Sequence, residues 1–270
     1  MVADRRGGPT PVAENARNGA RLTAMRALLV SDLHYDLRKL DWVLAEAAGV
    51  DVLVVAGDLL DIGSSVPLDA QIVVVLEYLA RFAEQTTTVT CSGNHDLDHR
   101  TVADEKATQW IHEARASGVV VDGNSALVGD WLVTSCAWWE GPETLQLLEA
   151  GLARAAEQRR GPWMWVYHGP PEGPLAWTGS THYGDPELPR LIDQHHPDLV
   201  LCGHIHQAPF VTGGGWAERR GDTWLFNAGY QRGQIPCHVS LDLERRTAAW
   251  WSFEGSGEIS LGALGPSAVQ

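Results

Sequence analysis

The stretch LVLCGHIHQ, Leu199 to Gln207, is apolar as far as Cys202, halts at Gly203 and then sets His204 and His206 on either side of one isoleucine. A short apolar run bounded by glycine reads as a strand buried on both faces. In an extended segment alternate side chains share a side, so the two imidazoles face one pocket while Ile205 turns into the core. The pair is either a metal clip or two ordinary histidines in a surface turn, and taken alone it does not choose.

Outward from that stretch the same design recurs. RALLVS (Arg26 to Ser31), DVLVVA (Asp51 to Ala56) and TTVTCS (Thr87 to Ser92) are short β-rich runs, each closing in a polar turn. Between and after them, Leu37 to Ala48, Pro67 to Gln85 and Thr101 to Ala116 carry helical spacing, as in Ile72, Val75, Leu76, Leu79 and Ala80. This alternation of strand and helix predicts a largely parallel sheet flanked by helices, an α/β fold. Further on, strands are expected at Val119 to Asp122, Trp131 to Ala137, Trp163 to Tyr167 and Asp198 to Cys202, with helices at Glu143 to Gln158 and Pro186 to His195. Thr223 to Ala228, Cys237 to Leu243 and Ala248 to Phe253 then follow with short connections, as an antiparallel meander does. With no Pro/Ser-rich linker and no fixed-period repeat, two sheets packed as one domain are expected over residues 25–254, between a disordered lead (1–24) and a flexible tail (255–270).

Composition narrows the function classes. The chain has 270 residues, 44% hydrophobic and 20% charged, which suits a soluble globular domain with a large core. A net charge of -14 opposes nonspecific binding to a nucleic-acid backbone or an anionic membrane, since the long-range field repels both. No window approaches eighteen consecutive apolar residues, and the lead has no apolar h-region, so neither membrane span nor signal peptide is expected. Cys91, Cys136, Cys202 and Cys237 lie far apart without a C-x-x-C pair, which reads as buried free thiols in a reducing cytoplasm.

The chemistry gathers at the strand ends, where open α/β sheets bind ligands. The first strand closes on Asp32 and His34, the second on Asp58 and Asp61, and the third on Asn94, His95 and Asp96; later strands close on His168 and on His204 and His206. Singly, each has an ordinary explanation: an Asp after a strand forms turns or caps helices, and a lone His is commonly bonded to backbone. Five independent turns have no reason to carry only oxygen and imidazole donors. Asp32, His34, Asp58, Asn94, His168, His204 and His206 are too many donors for one tetrahedral ion, whereas two ions sharing one carboxylate and a solvent oxygen use all of them. Carboxylate, imidazole and amide oxygen without thiolate suit two divalent or trivalent ions such as Mn, Fe, Zn or Co, with Mn or Fe/Mn preferred. Two metals about 3.5 to 4 Å apart form a clamp for in-line displacement at phosphorus.

In this order, D-x-H, G-D-x-x-D, G-N-H-D, an isolated H and G-H-x-H resemble the calcineurin-like metallophosphoesterase superfamily, over about Arg26 to Phe210. The resemblance implies a four-layer α/β/β/α sandwich of two mixed sheets flanked by helices, with a dinuclear metal centre at its crest. By motif position one metal is held by Asp32, His34, Asp58 and His206, the other by Asp58, Asn94, His168 and His204, with Asp58 as the bridge. It also implies that His95 lies beside the scissile phosphate, with Asp96 able to orient it, and that a metal-bridging hydroxide attacks phosphorus. Asp61 either bonds a ligand histidine or caps the next helix.

The ester is less legible. The loop EGPLAWTGSTHYGD, Glu172 to Asp185, carries Trp177, His182 and Tyr183, which either contact substrate or pack the loop down. Tyr35, Asn94, His95 and the group Trp138, Trp139 and Glu140 are further candidates for the pocket, and the turn Asn227 to Tyr230 is a candidate for the crest. Without a cap insertion the crest is expected to be open. The expectation is a cytoplasmic phosphodiesterase or broad phosphoesterase on small nucleotide-like or other organic phosphates, with neither nucleic acid nor membrane as partner. A DNA exonuclease of the same fold is the alternative, and a noncatalytic scaffold a remoter one.

Overall fold

The computed structural model describes residues 25–264, so the expected lead at 1–24 and the last residues, 265–270, lie outside the described residues. The first half runs β1 (Arg26–Val30), α1 (Leu37–Ala47), β2 (Val52–Ala56), α2 (Leu68–Gln85) and β3 (Thr87–Cys91), then a two-residue hairpin of β4 (His99–Arg100) and β5 (Lys106–Ala107). There follow β6 (Ser125–Val128), β7 (Trp131–Ser135), α3 (Pro142–Gln158), β8 (Trp163–Val166), α4 (Leu188–His195) and β9 (Leu199–Cys202). The chain closes with β10 (Ala217–Arg220), β11 (Thr223–Asn227), β12 (His238–Asp242), β13 (Thr247–Trp251) and β14 (Ser256–Ser260).

Two six-stranded sheets result, in the orders β14-β13-β12-β1-β2-β3 and β10-β11-β9-β8-β7-β6. In the first, β1, β2 and β3 are parallel and β12 runs antiparallel against the other side of β1. In the second, β7, β8, β9 and β11 are parallel, with β6 and β10 antiparallel at the edges. The period of two divides each strand between layers. Leu29, Val54 and Val89 meet Met164, Val166, Leu201 and Phe226 between the sheets. Leu28, Val30, Leu53 and Val55 face outward onto Leu40 and Val43 of α1 and Val75, Leu79 and Phe82 of α2. Trp163, Trp165, Val200 and Leu225 face Leu148 and Leu152 of α3 and Leu191 and Ile192 of α4. This is the four-layer α/β/β/α sandwich that the resemblance implied.

Four expectations are corrected. Thr101 to Ala116 is not one helix: the Asp98 carboxylate accepts the Gln109 N–H at 2.6 Å and Asp104 turns left-handed at φ 63°, so the segment folds as the β4–β5 hairpin and a 3-10 helix over Trp110–Ser117. Val119 to Asp122 is no strand; Val120 makes one bridge to Val89 before the chain turns at Gly123, φ 74°. Thr223 to Ala228 does not join the meander: β11 is buried on both faces and pairs with β9, whereas β12 and β13 alternate buried and exposed residues and extend the first sheet. The tail expected from Gly255 includes β14, an edge strand paired with β13 and held after its end by the bond from Trp224 Nε1 to the Leu261 carbonyl, 2.8 Å.

Candidate metal centre

The loops after β1, β2 and β3 deliver Asp32, His34, Asp58 and Asn94, and those after β8 and β9 deliver His168, His204 and His206. Each sheet thus brings part of the donor set to a common crest. The chain bends sharply to do so: Asp32, His34, Asp58 and His204 have φ of 54°, 44°, 52° and 69°. Left-handed backbone at a non-glycine residue costs of order 1–3 kcal/mol and persists only where the surroundings impose it. Here the Asp32 N–H donates to the Gly57 carbonyl (3.1 Å) and the His34 N–H to the Asp58 carbonyl (3.0 Å), tying the first two loops together.

Two strand-end glycines leave room for the carboxylates. A Cβ at Gly93 would stand 2.2 Å from Asp58 Oδ1, and one at Gly203 would stand 2.6 Å from Asp32 Oδ2. The G-N-H motif therefore needs glycine because the Asp58 carboxylate of the adjacent β2 loop occupies the space of its side chain, and the G-H-x-H motif because the Ser31 side chain (Cβ 2.4 Å) and the Asp32 carboxylate from the other sheet do so together.

The donor atoms fall into three overlapping groups: Asp32, His34 and His206; His34, Asp58 and His95; and Asp58, His168 and His204, each with ligand atoms within 4.8 Å of one another. His34 Nε2 and His206 Nε2 lie 3.2 Å apart, with His206 Nε2 3.1 Å from Asp32 Oδ1. Asp58 Oδ2 is 3.3 Å from His168 Nε2 and 3.9 Å from both His34 Nε2 and His95 Nε2. Proximity alone does not separate His95 from the other donors.

Unmet valences test whether cations fit. His168 is fully buried and donates Nδ1–H to the Ala56 carbonyl at 2.7 Å, which leaves Nε2 as a lone-pair donor. That Nε2, although close to Asp58, makes no hydrogen bond, and neither does the buried Asn94 Oδ1. Buried acceptors left without partners are costly, and a cation among them satisfies both. The charges agree: burial alone would raise the Asp32 carboxyl, but the His206 bond and the imidazoles of His168, His206 and His34 hold it well below the usual range. Burial opposes a charged His168, yet the adjacent Asp58 carboxylate lifts it to about 9, while burial and His168 push His204 down to about 4. Where no cation is bound, a proton takes the place on His168 Nε2 beside Asp58, while His204 stays neutral with its lone pairs free to coordinate. A set of oxygen and imidazole donors fits borderline ions.

Around the donors, some expectations change. Asp96 does not reach His95: its buried carboxylate accepts the N–H groups of Leu59 and Leu60 (3.0 Å each) and Gly93 (2.8 Å), pinning the third loop to the second, while His95 Nδ1 is buried without a partner. Asp61 bonds no ligand histidine; its carboxylate takes the Gly63 N–H at 2.8 Å in a local turn. Tyr35 packs against the core beneath α1 and α2. Trp177 and His182 pack the loop down: Trp177 Nε1 donates to the Thr212 carbonyl (3.0 Å) outside it, His182 Nδ1 lies 3.1 Å from the Gly173 carbonyl, and their ring centroids are 4.6 Å apart at a tilt of 41°. Of the three loop candidates, Tyr183, 62% exposed, lines a groove that reaches His204, together with Gly184 and Asp185.

The turn after β11 braces the crest. Asn227 donates Nδ2–H to the Ile205 carbonyl (3.0 Å) and to the Leu175 carbonyl (2.9 Å), and Tyr230 stacks on His206 at 4.6 Å. Beneath Tyr230, Lys39 of α1 is 1% exposed and sets Nζ 3.7 Å from the ring centroid. Lys39 carries no motif signature; the available signal is its place four residues before Val43 and eight before Ala47, on the buried stripe of the helix.

No helix among the described residues is long and apolar enough to cross a membrane. No curated protein gives a match to the chain. Among solved structures, TT1561 of Thermus thermophilus is 17% identical, with 88% of this chain and 100% of that chain covered and a TM-score of 0.55. A purple acid phosphatase from yellow lupin (Lupinus luteus) seeds is 15% identical, covering 88% of this chain and 54% of that chain with a TM-score of 0.49. The first of these likenesses speaks to the fold alone. The model of the calcineurin-like phosphoesterases matches residues 25–208, most of the chain and every donor described above. The chain belongs to the calcineurin-like phosphoesterase family, whose chemistry is dinuclear-metal-dependent hydrolysis of phosphate esters.

Proposed function

We propose that the protein is a phosphodiesterase acting on small organic phosphates, nucleotide-like esters first among them. The supporting observation is Asp58, whose Oδ2 lies within 3.9 Å of His34 and 3.3 Å of His168, members of two different donor groups. On this reading Asp32, His34, Asp58 and His206 hold one cation and Asp58, Asn94, His168 and His204 the other, Mn or Fe/Mn being the favoured pairing. Bound there, the cations would supply Lewis acidity toward the phosphoryl oxygens and lower the pKa of water enough to provide a nucleophile near neutral pH.

The chain's own residues then do three things. The strained loops fix the donors, so that no reorganisation is needed when the phosphoryl group arrives. His95, whose backbone N–H donates to Asp58 Oδ1 at 2.9 Å, sets Nε2 3.9 Å from Asp58 Oδ2, beside the donors, where an imidazole can stabilise the phosphoryl charge or pass a proton to the departing oxygen. Asp96 acts through the backbone, holding the loop that carries Asn94 and His95 against the loop of Asp58. In the net step one water is consumed, a bond from its oxygen to phosphorus forms, and the ester P–O bond breaks with the departing oxygen taking a proton. The acidic surface favours a small ester over a nucleic acid as the partner, and the free buried thiols favour a cytoplasmic setting.

Purified protein supplied with manganese is expected to hydrolyse bis(p-nitrophenyl) phosphate, and faster than p-nitrophenyl phosphate. Loss of all turnover on chelation, restored by manganese, is part of the expectation. Metal-independent turnover, or none of either ester, refutes the proposal; a faster monoester reaction overturns its diesterase part.

A further inference from the structure

A groove of about 290 Å³ opens beside His204, between the loop after β7 and the Tyr183 segment. Trp138 forms the wall nearest the donors, with its ring 5.2 Å from that of His204 and 5.5 Å from that of His168. The indole is fixed on three sides. It stacks on Tyr167 at an interplanar angle of 17°, its Nε1–H donates to Glu140 Oε1 at 2.6 Å, and its six-membered ring lies so close to Gly169 that a Cβ there would stand 3.2 Å away. Trp139 is fixed as well, by donation from Nε1 to Asp185 Oδ2 at 2.8 Å. Asp185 has no acceptor capacity to spare, because it also receives the Tyr167 hydroxyl and the N–H groups of Glu187 and Leu188. The groove therefore presents two indoles whose N–H groups are already satisfied, with the Glu140 carboxylate at its rim.

We propose that this groove, bounded by Trp138, Trp139 and Tyr183, is the subsite for one ester arm of the substrate, and that the arm is a flat aromatic group bearing no second phosphate. The proposal rests on the phosphoesterase reading, since it takes the phosphorus to lie at the donors next to His204. Rigid indoles bind flat rings without losing side-chain freedom, and their faces are sequence-tolerant stacking platforms. No lysine or arginine lines the groove among the described residues, and Glu140 repels anions, so a second phosphate has no partner there while an amino group on the ring finds one.

Phosphonates test this without turnover, because they keep the phosphoryl head and cannot be hydrolysed. By calorimetry, the manganese-loaded protein should bind phenylphosphonate about tenfold more tightly than methylphosphonate, the worth of one stacked ring. Trp138→Ala should reduce that ratio to within about threefold of one. Because Trp138 touches His204, Tyr183→Ala, at an exposed position, serves as the second variant and should lower the ratio as well. Equal affinity for the two phosphonates in protein that binds manganese and hydrolyses bis(p-nitrophenyl) phosphate overturns the subsite and leaves the phosphoesterase reading standing. A tenfold preference that neither substitution moves also overturns it. Absence of metal-dependent hydrolysis strikes the phosphoesterase reading instead.

Discussion

Gly93→Ala puts the crest under the most direct mechanical test. The added Cβ would stand 2.2 Å from Asp58 Oδ1, 2.6 Å from the Asp58 backbone nitrogen and 2.9 Å from His168 Cδ2. Restoring ordinary contact, which begins at 3.4 Å, requires about 1.2 Å of movement by the carboxylate oxygen. Asp58 has little freedom to comply, since its Oδ1 takes the His95 N–H at 2.9 Å and its carbonyl takes the His34 N–H at 3.0 Å. Overpacking of this kind costs about 1–3 kcal/mol, and displacing a catalytic group by about 1 Å costs on the order of a hundredfold in rate. The expected result is a melting temperature lower by several degrees, weakened manganese binding and loss of about two orders of magnitude in bis(p-nitrophenyl) phosphate hydrolysis. Gly255→Ala is the control, because a Cβ there meets nothing within 4 Å. The reasoning is refuted if Gly93→Ala takes up manganese with the parent's affinity and hydrolyses the ester within about threefold of the parent rate.

Other perturbations separate roles. His95→Ala is expected to lower turnover by about 10²–10⁴-fold while manganese content by elemental analysis stays at the parent level; Asp58→Asn should lower both, and loss of metal from His95→Ala would make that imidazole a ligand. Burial pushes the Lys39 ammonium down to about 8, from the usual 10.5. Because the unfolded chain binds that proton more tightly, the stability penalty is full below pH 8 and fades as pH rises toward 10.5. The unfolding free energy from denaturant titration should therefore rise for the parent relative to Lys39→Met between pH 7.5 and 10, by at most about 3 kcal/mol; parallel profiles would contradict the burial. The four cysteines are free and buried, so Ellman's reagent should find no reactive thiol in the native protein and four after denaturation.

What the sequence discloses and what it hides both follow from burial. Parallel strands covered on both faces, such as VLVVA at Val52–Ala56, are continuous apolar runs, and the donors stand out because each follows such a run directly. Edge strands lack that contrast. AERR at Ala217–Arg220 and SGEIS at Ser256–Ser260 face water, so their pairing is written in backbone hydrogen bonds that leave no apolar pattern. The apolar positions Trp110, Ile111 and Ala114 fit helical spacing, but a side chain many residues distant in bonding terms, Asp98, decides where that helix starts. The gathering of Asp32, His34, Asp58, His168, His204 and His206 at one crest is legible from residue type and their order after the strands. The actual duties of Asp96, Trp177 and His182 were not, because each is decided by which backbone group lies within reach after folding. Lys39 was hidden for the opposite reason, since a lysine on a helix is read as solvated unless its neighbours on the stripe are counted.

The pairing of β12 with β1 has a consequence for biosynthesis. In that register Arg26 faces Asp242, so one side of the earliest strand waits for a partner translated some two hundred residues afterwards. At a ribosome adding about 5–20 residues each second, the wait is on the order of ten seconds or more. A ragged hydrogen-bonding margin is open to foreign chains throughout that interval. Messages cut short between the codons for His206 and His238 would yield a product whose β1 never gains β12, and such fragments should accumulate as insoluble material even though every candidate donor has been made.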